Sequence, residues 1–365
     1  AKIDKFFDLL KSMLTDDELD VSPQIVFIML RLCGSGKLVF LCSTTPPSIS
    51  ESICRHFDGR ALELVRLILG DGRELSDYSK ALVHDRAGLC LPNYTENCSQ
   101  LYKSSLSFSK DTSRNPQRVI IPLISNQRAS NTTDAQIAGT LSNSWMQYGG
   151  GTKFLSTVHF RSMLGIRIRH NVFNTAYPCT CSCGNRCNND KDFIEHLLKC
   201  DSATPYTATS RHNAVKWCIY NCARRHNIVA VDEPTMYVYE GGEENRPDIT
   251  FNVVPPLAID VTVVHPNQHL DGLRAAQAAE EKNKKHQRAV ESAHHTFLPF
   301  SMEVYGHFDA SARRVVKRLA KELPEFLSYE FMHEMFHDVS TALAEAVATS
   351  LIQAHNMFSS CERIY

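Results

Sequence analysis

Two groups of side chains in this sequence are spaced for chemistry. In one, Asp248 follows Arg246-Pro247 at the start of a predicted strand, and Asp260 sits inside Ala258-Ile259-Asp260-Val261-Thr262, with the Pro255-Pro256 turn between them. Asp260 interrupts Ile259, Val261, Val263 and Val264. A carboxylate in an apolar strand flanked by helices is costly unless it is paired or metal-bound. Two carboxylates on neighbouring strands suit Mg2+ (or Mn2+), a hard cation that keeps several waters and bridges to phosphate. Such a metal lowers the pKa of an attacking water and neutralises charge developing on a phosphate. The helix predicted next presents Lys282 and Lys285 on one face and Lys284 to the side, so a cation can reach the same edge. Taken singly, Asp248 also reads as a turn cap, Asp260 as a partner of Arg246, and the lysines as a solvated face.

The other group is Cys179-x-Cys181-x-Cys183-Gly184, then Cys187, His196 and Cys200. A tetrahedral Zn2+ site takes four such ligands, often an early pair in a tight turn and a later pair on a short helix. His196 and Cys200 lie one helical turn apart and face the same way. For the early pair, Cys181 with Cys183 and the turn-making Gly184 competes with Cys183 and Cys187, and Cys179 stays open as a further candidate. The expected zinc set is therefore four of Cys181, Cys183, Cys187, His196 and Cys200. A closed set leaves no open position for substrate, so its role is structural.

The elements that must position these groups follow from periodicity. Ile3, Phe6, Phe7, Leu10, Met13 and Leu14 recur at helical spacing, Ser22-Pro23 caps a second helix running to Leu32, and a third spans Ser50 to Leu69. Cys33-Gly34-Ser35-Gly36-Lys37 is no phosphate loop, because Arg31 and Leu38 stand where Gly and Ser or Thr are required. From Tyr94 to Ser144 the chain is polar around an apolar Val119 to Ile124, and Gly149-Gly150-Gly151 predicts a hinge. Phe154 to Ile168 predicts a helix ending in a basic cluster. Beyond the cysteines the order is helix (Arg211 to His226), strands (Asn227 to Val231, Met236 to Tyr239, Asp248 to Val254, Leu257 to Val264), helix (Leu270 to His294), strand (Phe300 to Tyr305) and a basic helix (Ala310 to Leu323). Phe326 to Ile352 is helical. The fold class is α+β and multidomain: helical over 1–93, a polar linker over 94–153, a helix plus zinc knuckle over 154–205, an α/β domain over 206–324, and a helical C-terminal segment over 325–365.

Composition bounds the partners. With 365 residues, 43% hydrophobic and 22% charged, the chain is neither collagen-like, coiled coil nor wholly disordered. A net charge of −1 means that a polyanion must be met by local clusters. Two are expected: Arg167 with Arg169, and Arg313, Arg314, Lys317, Arg318 and Lys321 on the polar side of a helix whose other side is Val315, Val316, Leu319 and Ala320. Such stripes give salt-sensitive backbone contact to nucleic acid without sequence information. The odd count of 13 cysteines favours a reducing compartment and metal thiolates. The longest apolar run, Ile25 to Leu30, falls short of the roughly 18 residues of a membrane span, which predicts a soluble chain without a membrane partner. A start at Ala1 is expected of a piece of a longer polypeptide.

The order strand-Asp, turn, strand-Asp, helix-Lys is the skeleton of the PD-D/E-x-K nuclease superfamily, with Thr262 standing where its lysine would be. With Phe160 to Gly165, Cys181-x-Cys183-Gly184, His196-x-x-x-Cys200, Arg211-His212-Asn213, Arg246-Pro247-Asp248, Ile259 to Val263 and Lys282-x-x-Lys285-His286, the chain resembles the C-terminal part of site-specific non-LTR retrotransposon proteins that carry a restriction-like endonuclease. The resemblance covers about Val158 to Lys321. More weakly, Ile25 to Pro47 looks like the region after the polymerase thumb. His286 replaces the family's usual tyrosine, and no Tyr-x-Asp-Asp polymerase motif occurs. The resemblance implies a Mg2+-dependent endonuclease that nicks double-stranded target DNA for target-primed reverse transcription in the nucleus, with element RNA as a further partner. Asp248 and Asp260 would hold the metal, Lys285 (or Lys282) would orient the water or stabilise the charge on the phosphate, and Arg211 with His212 would contact the phosphate. The alternative is a catalytically decayed, zinc-containing nucleic-acid-binding or assembly module.

Overall fold

The computed structural model describes residues 2–16, 18–34, 36–85, 88–108, 144–146, 154–173, 175–181, 183–200, 207–239, 246–266 and 273–361. The expected hinge at Gly149-Gly150-Gly151 and the segment Val119 to Ile124 lie outside these residues. The chain is α+β and divides into two compact units, one built from Ala1–Ala135, Leu155–Cys179 and Cys187–Ile194, the other from Gln136–Phe154, Thr180–Arg186 and Glu195–Tyr365.

The first unit is helical: α1 (Lys2–Thr15), α2 (Pro23–Met29), α3 (Val39–Thr44), α4 (Pro47–Leu69), α5 (Asp77–His84), α6 (Tyr94–Phe108) and α7 (Thr157–Ile168). The serine and proline signals act as expected, with Ser22 accepting from the Gln24 amide and Pro23 opening α2. Edge-on aromatic contacts knit the core, Phe7 to Phe57 and Phe57 to Tyr94. Asp58 caps α6 from within α4, accepting from the Tyr94 and Thr95 amides at 3.1 and 2.7 Å. A buried carboxylate is tolerated there because it meets the positive end of a helix. Contrary to the expectation that no apolar stretch reaches membrane-span length, Pro23–Thr44 is long and apolar enough to cross a membrane by length and composition alone; 41% of its most apolar window is buried. It is not one regular α-helix, since α2 passes into a wider helical turn at Leu30–Gly34 before α3.

The basic end of α7 corrects one expectation. Arg167 and Arg169 are 1% and 5% exposed, so neither belongs to a surface stripe. Arg169 closes the helix in the left-handed conformation, φ 56, with its amide returned to the last turn. The chain folds back so tightly that a Cβ on Gly165 would meet the His170 carbonyl oxygen at 2.3 Å.

The second unit holds α9 (Thr207–Arg225), a sheet of β3 (Ala230–Asp232), β4 (Ile249–Phe251), β5 (Leu257–Val264) and β6 (Thr296–Glu303), and the helices α10 (Leu273–Ser292), α11 (Ala310–Ala320) and α12 (Glu325–Cys361). A short helix α8 (Asp190–Leu197) follows a hairpin of β1 (Cys179–Thr180) and β2 (Arg186–Cys187). Sheet order is β3-β4-β5-β6; the first two pairings are antiparallel and β5-β6 is parallel, joined through α10. Helices α9, α10 and α11 pack on the sheet, and α12 packs on α9 and α11. This explains why Leu257 to Val261 is buried continuously and reads as an unbroken apolar run apart from Asp260.

Met236 to Tyr239, expected as a strand, joins no ladder among the described residues; β3 at Ala230–Asp232 takes the place beside β4. The segment does alternate, with Met236 and Val238 exposed and Tyr237 buried. Its tyrosine hydroxyls supply the tie instead, Tyr237 to Thr250 and His295 at 2.9 and 2.8 Å.

Candidate metal centre and carboxylate site

The hairpin and α8 bring four of the five candidate soft ligands together. Cys181, Cys183, His196 and Cys200 have donor atoms all within 4.8 Å of one another. Gly184, at φ 87, makes the turn, with its amide on the Cys181 carbonyl at 2.8 Å and the Cys181 amide on the Asn185 carbonyl. The Cys200 amide returns to the His196 carbonyl, so the later pair shares one helical turn. Sulfur lies 3.7 Å from sulfur between Cys181 and Cys200, and Cys183 Sγ lies 3.4 Å from His196 Nε2. Three thiols and an imidazole at these separations can hold a metal such as zinc. A backbone hydrogen bond at Asn185 holds the Cys183 thiol below its usual value, and burial lowers the His196 imidazole. Both shifts favour the forms that ligate, thiolate and neutral imidazole. Cys187 is outside this cluster, fully buried, because β2 turns its side chain inward while Arg186 is exposed.

The carboxylates meet through sheet register. Ile249 pairs with Ile259, and continuing that antiparallel register sets Asp248 opposite Asp260 on one face of the sheet. Asp248 accepts from the Val261 amide at 2.6 Å through Oδ2, and its Oδ1 lies 3.2 Å from His212 Nε2 on α9. Asp260 is 3% exposed. Lys282 Nζ stands 2.7 Å from its Oδ1, and His286 Nε2 stands 2.8 Å from its Oδ2. Burial pushes the Asp260 carboxyl up, but His286 and Lys282 outweigh it and hold the group below the ordinary carboxylate value. The hydrogen bond to Asp248 raises the His212 imidazole, against its partial burial.

Lys282 and His286 are four residues apart and therefore share the face of α10 that looks at Asp260. Lys285 is exposed with no ion pair among the described residues, so the lysine beside Asp260 is Lys282 and not the Lys285 that the sequence favoured. His286 is wholly buried, and its Nδ1 meets the Tyr239 hydroxyl at 2.6 Å. Burial, with the charge of Asp260, pushes that phenol up to about 12, so it stays a donor. Tyr239 was not expected here, and the alternation of Tyr237 and Tyr239 was its sequence signal. Arg211, expected to contact phosphate, is 7% exposed with Nη1 on the Leu198 carbonyl.

Asp248 and Asp260 are opposed, each carboxylate can accept about four hydrogen bonds or metal contacts, and the contacts above leave lone pairs on both. On α11, Arg314 and Lys317 are exposed, as is Lys321 at its C-cap, while Val315, Val316, Leu319 and Ala320 are buried. Arg313 is half-buried, and Arg318 is taken up by Glu322 and the Val254 carbonyl.

No protein-family model matches the chain, and no curated protein is significantly similar to it.

Proposed function

We propose that this chain is a metal-dependent DNA endonuclease of the PD-D/E-x-K kind, related to the restriction-like nuclease at the C-terminus of site-specific non-LTR retrotransposon proteins. The observation that carries the reading is the convergence of Asp248, Asp260 and Lys282 from β4, β5 and α10, beside a sheet ordered as two antiparallel pairings and one parallel crossover. Asp248 and Asp260 would hold Mg2+, which when bound activates water and offsets charge on the phosphate. Lys282 is the cation poised to shift from Asp260 to the scissile phosphate or to orient the water. His212 would steady Asp248 through the contact of its Nε2 with Oδ1. His286, set by Tyr239, fixes the Asp260 carboxylate. Arg313, Arg314, Lys317 and Lys321 would take the DNA backbone, and the cysteine cluster would hold zinc as a structural knuckle. The biological setting that goes with this reading is nicking of target DNA to prime reverse transcription, in the nucleus and within a larger protein.

A second reading is favoured by the same contacts: Lys282 and His286 already occupy both oxygens of Asp260, as expected of a binding or assembly module whose catalysis has decayed. Nicking of supercoiled plasmid with and without Mg2+ separates the two. The nuclease reading predicts Mg2+-dependent nicking that Asp260→Asn abolishes. Mg2+-independent DNA binding with no nicking supports the decayed module, and nicking unchanged in Asp260→Asn overturns the assigned site.

A further inference from the structure

The C-terminal turn of α9 carries a second group of soft and hard ligands, well apart in sequence from the cysteine knuckle. Cys222, His226 and Glu334 have donor atoms within 4.8 Å of one another. Cys222 and His226 belong to one helical turn, the His226 amide reaching the Cys222 carbonyl at 3.3 Å, so both side chains leave the same face. Glu334 comes from α12, the helix packed along α9.

We propose that Cys222, His226 and Glu334 form a second metal site, for Zn2+ or another borderline-soft divalent cation, that ties α9 to α12. A thiolate, an imidazole and a carboxylate supply three of the four positions of a zinc centre, with water for the fourth. The neighbours hold these donors in place. Arg225 donates to Glu334 Oε1 through Nε and Nη2 at 3.0 and 2.6 Å, and Nη2 also reaches Asp338 Oδ2 at 2.6 Å. That engages one carboxylate oxygen and turns the other, Oε2, toward His226 Nε2 at 2.7 Å. The ring of Phe331 stands edge-on to the His226 imidazole, 5.0 Å between centroids, and limits its rotation. Such outer contacts orient ligands in metal sites. The metal would replace the proton now shared by His226 and Glu334 and the proton of the Cys222 thiol. Cys222 is fully buried, whereas the side chains of His226 and Glu334 are 15% and 23% exposed, which leaves an entry path on their side.

Cobalt titration of the whole, metal-stripped chain tests this, because thiolate-to-cobalt charge transfer reports each thiolate ligand. Cys222→Ser is expected to bind one equivalent of Co2+ fewer than wild type and to lose that share of the absorbance, while Cys200→Ser loses a different equivalent. Glu334→Gln is expected to bind the same equivalent about 10-fold more weakly or worse. Circular dichroism checks that each variant is folded; if Cys222→Ser is not, His226→Gln replaces it in the comparison. The same equivalents and the same absorbance in wild type and the folded variant would overturn the site.

Discussion

The cysteine cluster draws all its donors from Cys181 to Cys200, whereas the carboxylate site gathers His212, Asp248, Asp260, Lys282 and His286 from α9, β4, β5 and α10. The first is a local loop whose thiols approach one another. The second arises only when the sheet is in register, and it brings its own cation, Lys282, and an imidazole hydrogen-bonding partner, His286, to the buried carboxylate. The difference separates two roles for a metal. A soft ion at the knuckle would supply folding energy, while a hard ion at the carboxylates would supply chemistry to a frame in which Lys282 and His286 already contact Asp260.

Selective metal removal tests that contrast at its largest. Zinc binding is worth about 10 kcal/mol or more in zinc-finger peptides, so a soft-metal chelator is expected to expose the amides of Cys181 to Cys200 to hydrogen exchange. Withdrawing Mg2+ should stop nicking and leave exchange and melting as they were. If the knuckle stays protected after its metal is stripped, the contrast fails on that side.

The Asp260→Ala substitution addresses the other region. It leaves Lys282 and the fully buried His286 without their carboxylate, and breaking a buried pair in this way costs about 3–5 kcal/mol, readable in urea unfolding. Because the folded carboxyl lies below its ordinary value, its contribution is complete above the unfolded pKa of about 3.9 and fades as pH falls through the lowered folded value. The gap between wild type and Asp260→Ala should therefore be constant at neutral pH and close only in acid. A gap that closed on raising the pH would invert the assignment.

Lys282→Ala is expected to slow nicking roughly 100-fold, the scale of losing one transition-state donor, while Lys285→Ala leaves the rate unchanged; the reverse order would transfer the role to the exposed lysine. The smallest effect belongs to Tyr239→Phe. Losing one hydroxyl contact to His286 should cost about 1 kcal/mol of stability, and denaturant midpoints showing a much larger loss would mean that Tyr239 does more than orient the imidazole.

Much of this was legible along the chain where the signal is local. Ser22-Pro23, the amphipathic α11 and the Cys-His spacing were read from periodicity and turn chemistry, and the structure keeps those elements. What escaped depends on distant packing. Residue type alone does not say that Arg167, Arg169 and Arg211 turn inward, because burial of a guanidinium is decided by carbonyls and neighbours supplied elsewhere. Nor did helical spacing choose between Lys282 and Lys285; their shared three-residue interval suits either, and the position of Asp260 against α10 picks the first together with His286. Tyr239 kept the alternation of a strand but not the pairing, and Cys187 had the spacing of a ligand but faces the core.

The most direct test pairs catalysis with folding in a single variant, Asp248→Asn, which keeps the size of the side chain and removes its charge. Plasmid nicking in Mg2+ should fall by roughly 100-fold or more, while the circular dichroism spectrum and the metal content of the knuckle stay at wild-type values. A nicking rate close to wild type in this variant, with the fold intact, would contradict the assignment of the carboxylates as the catalytic site.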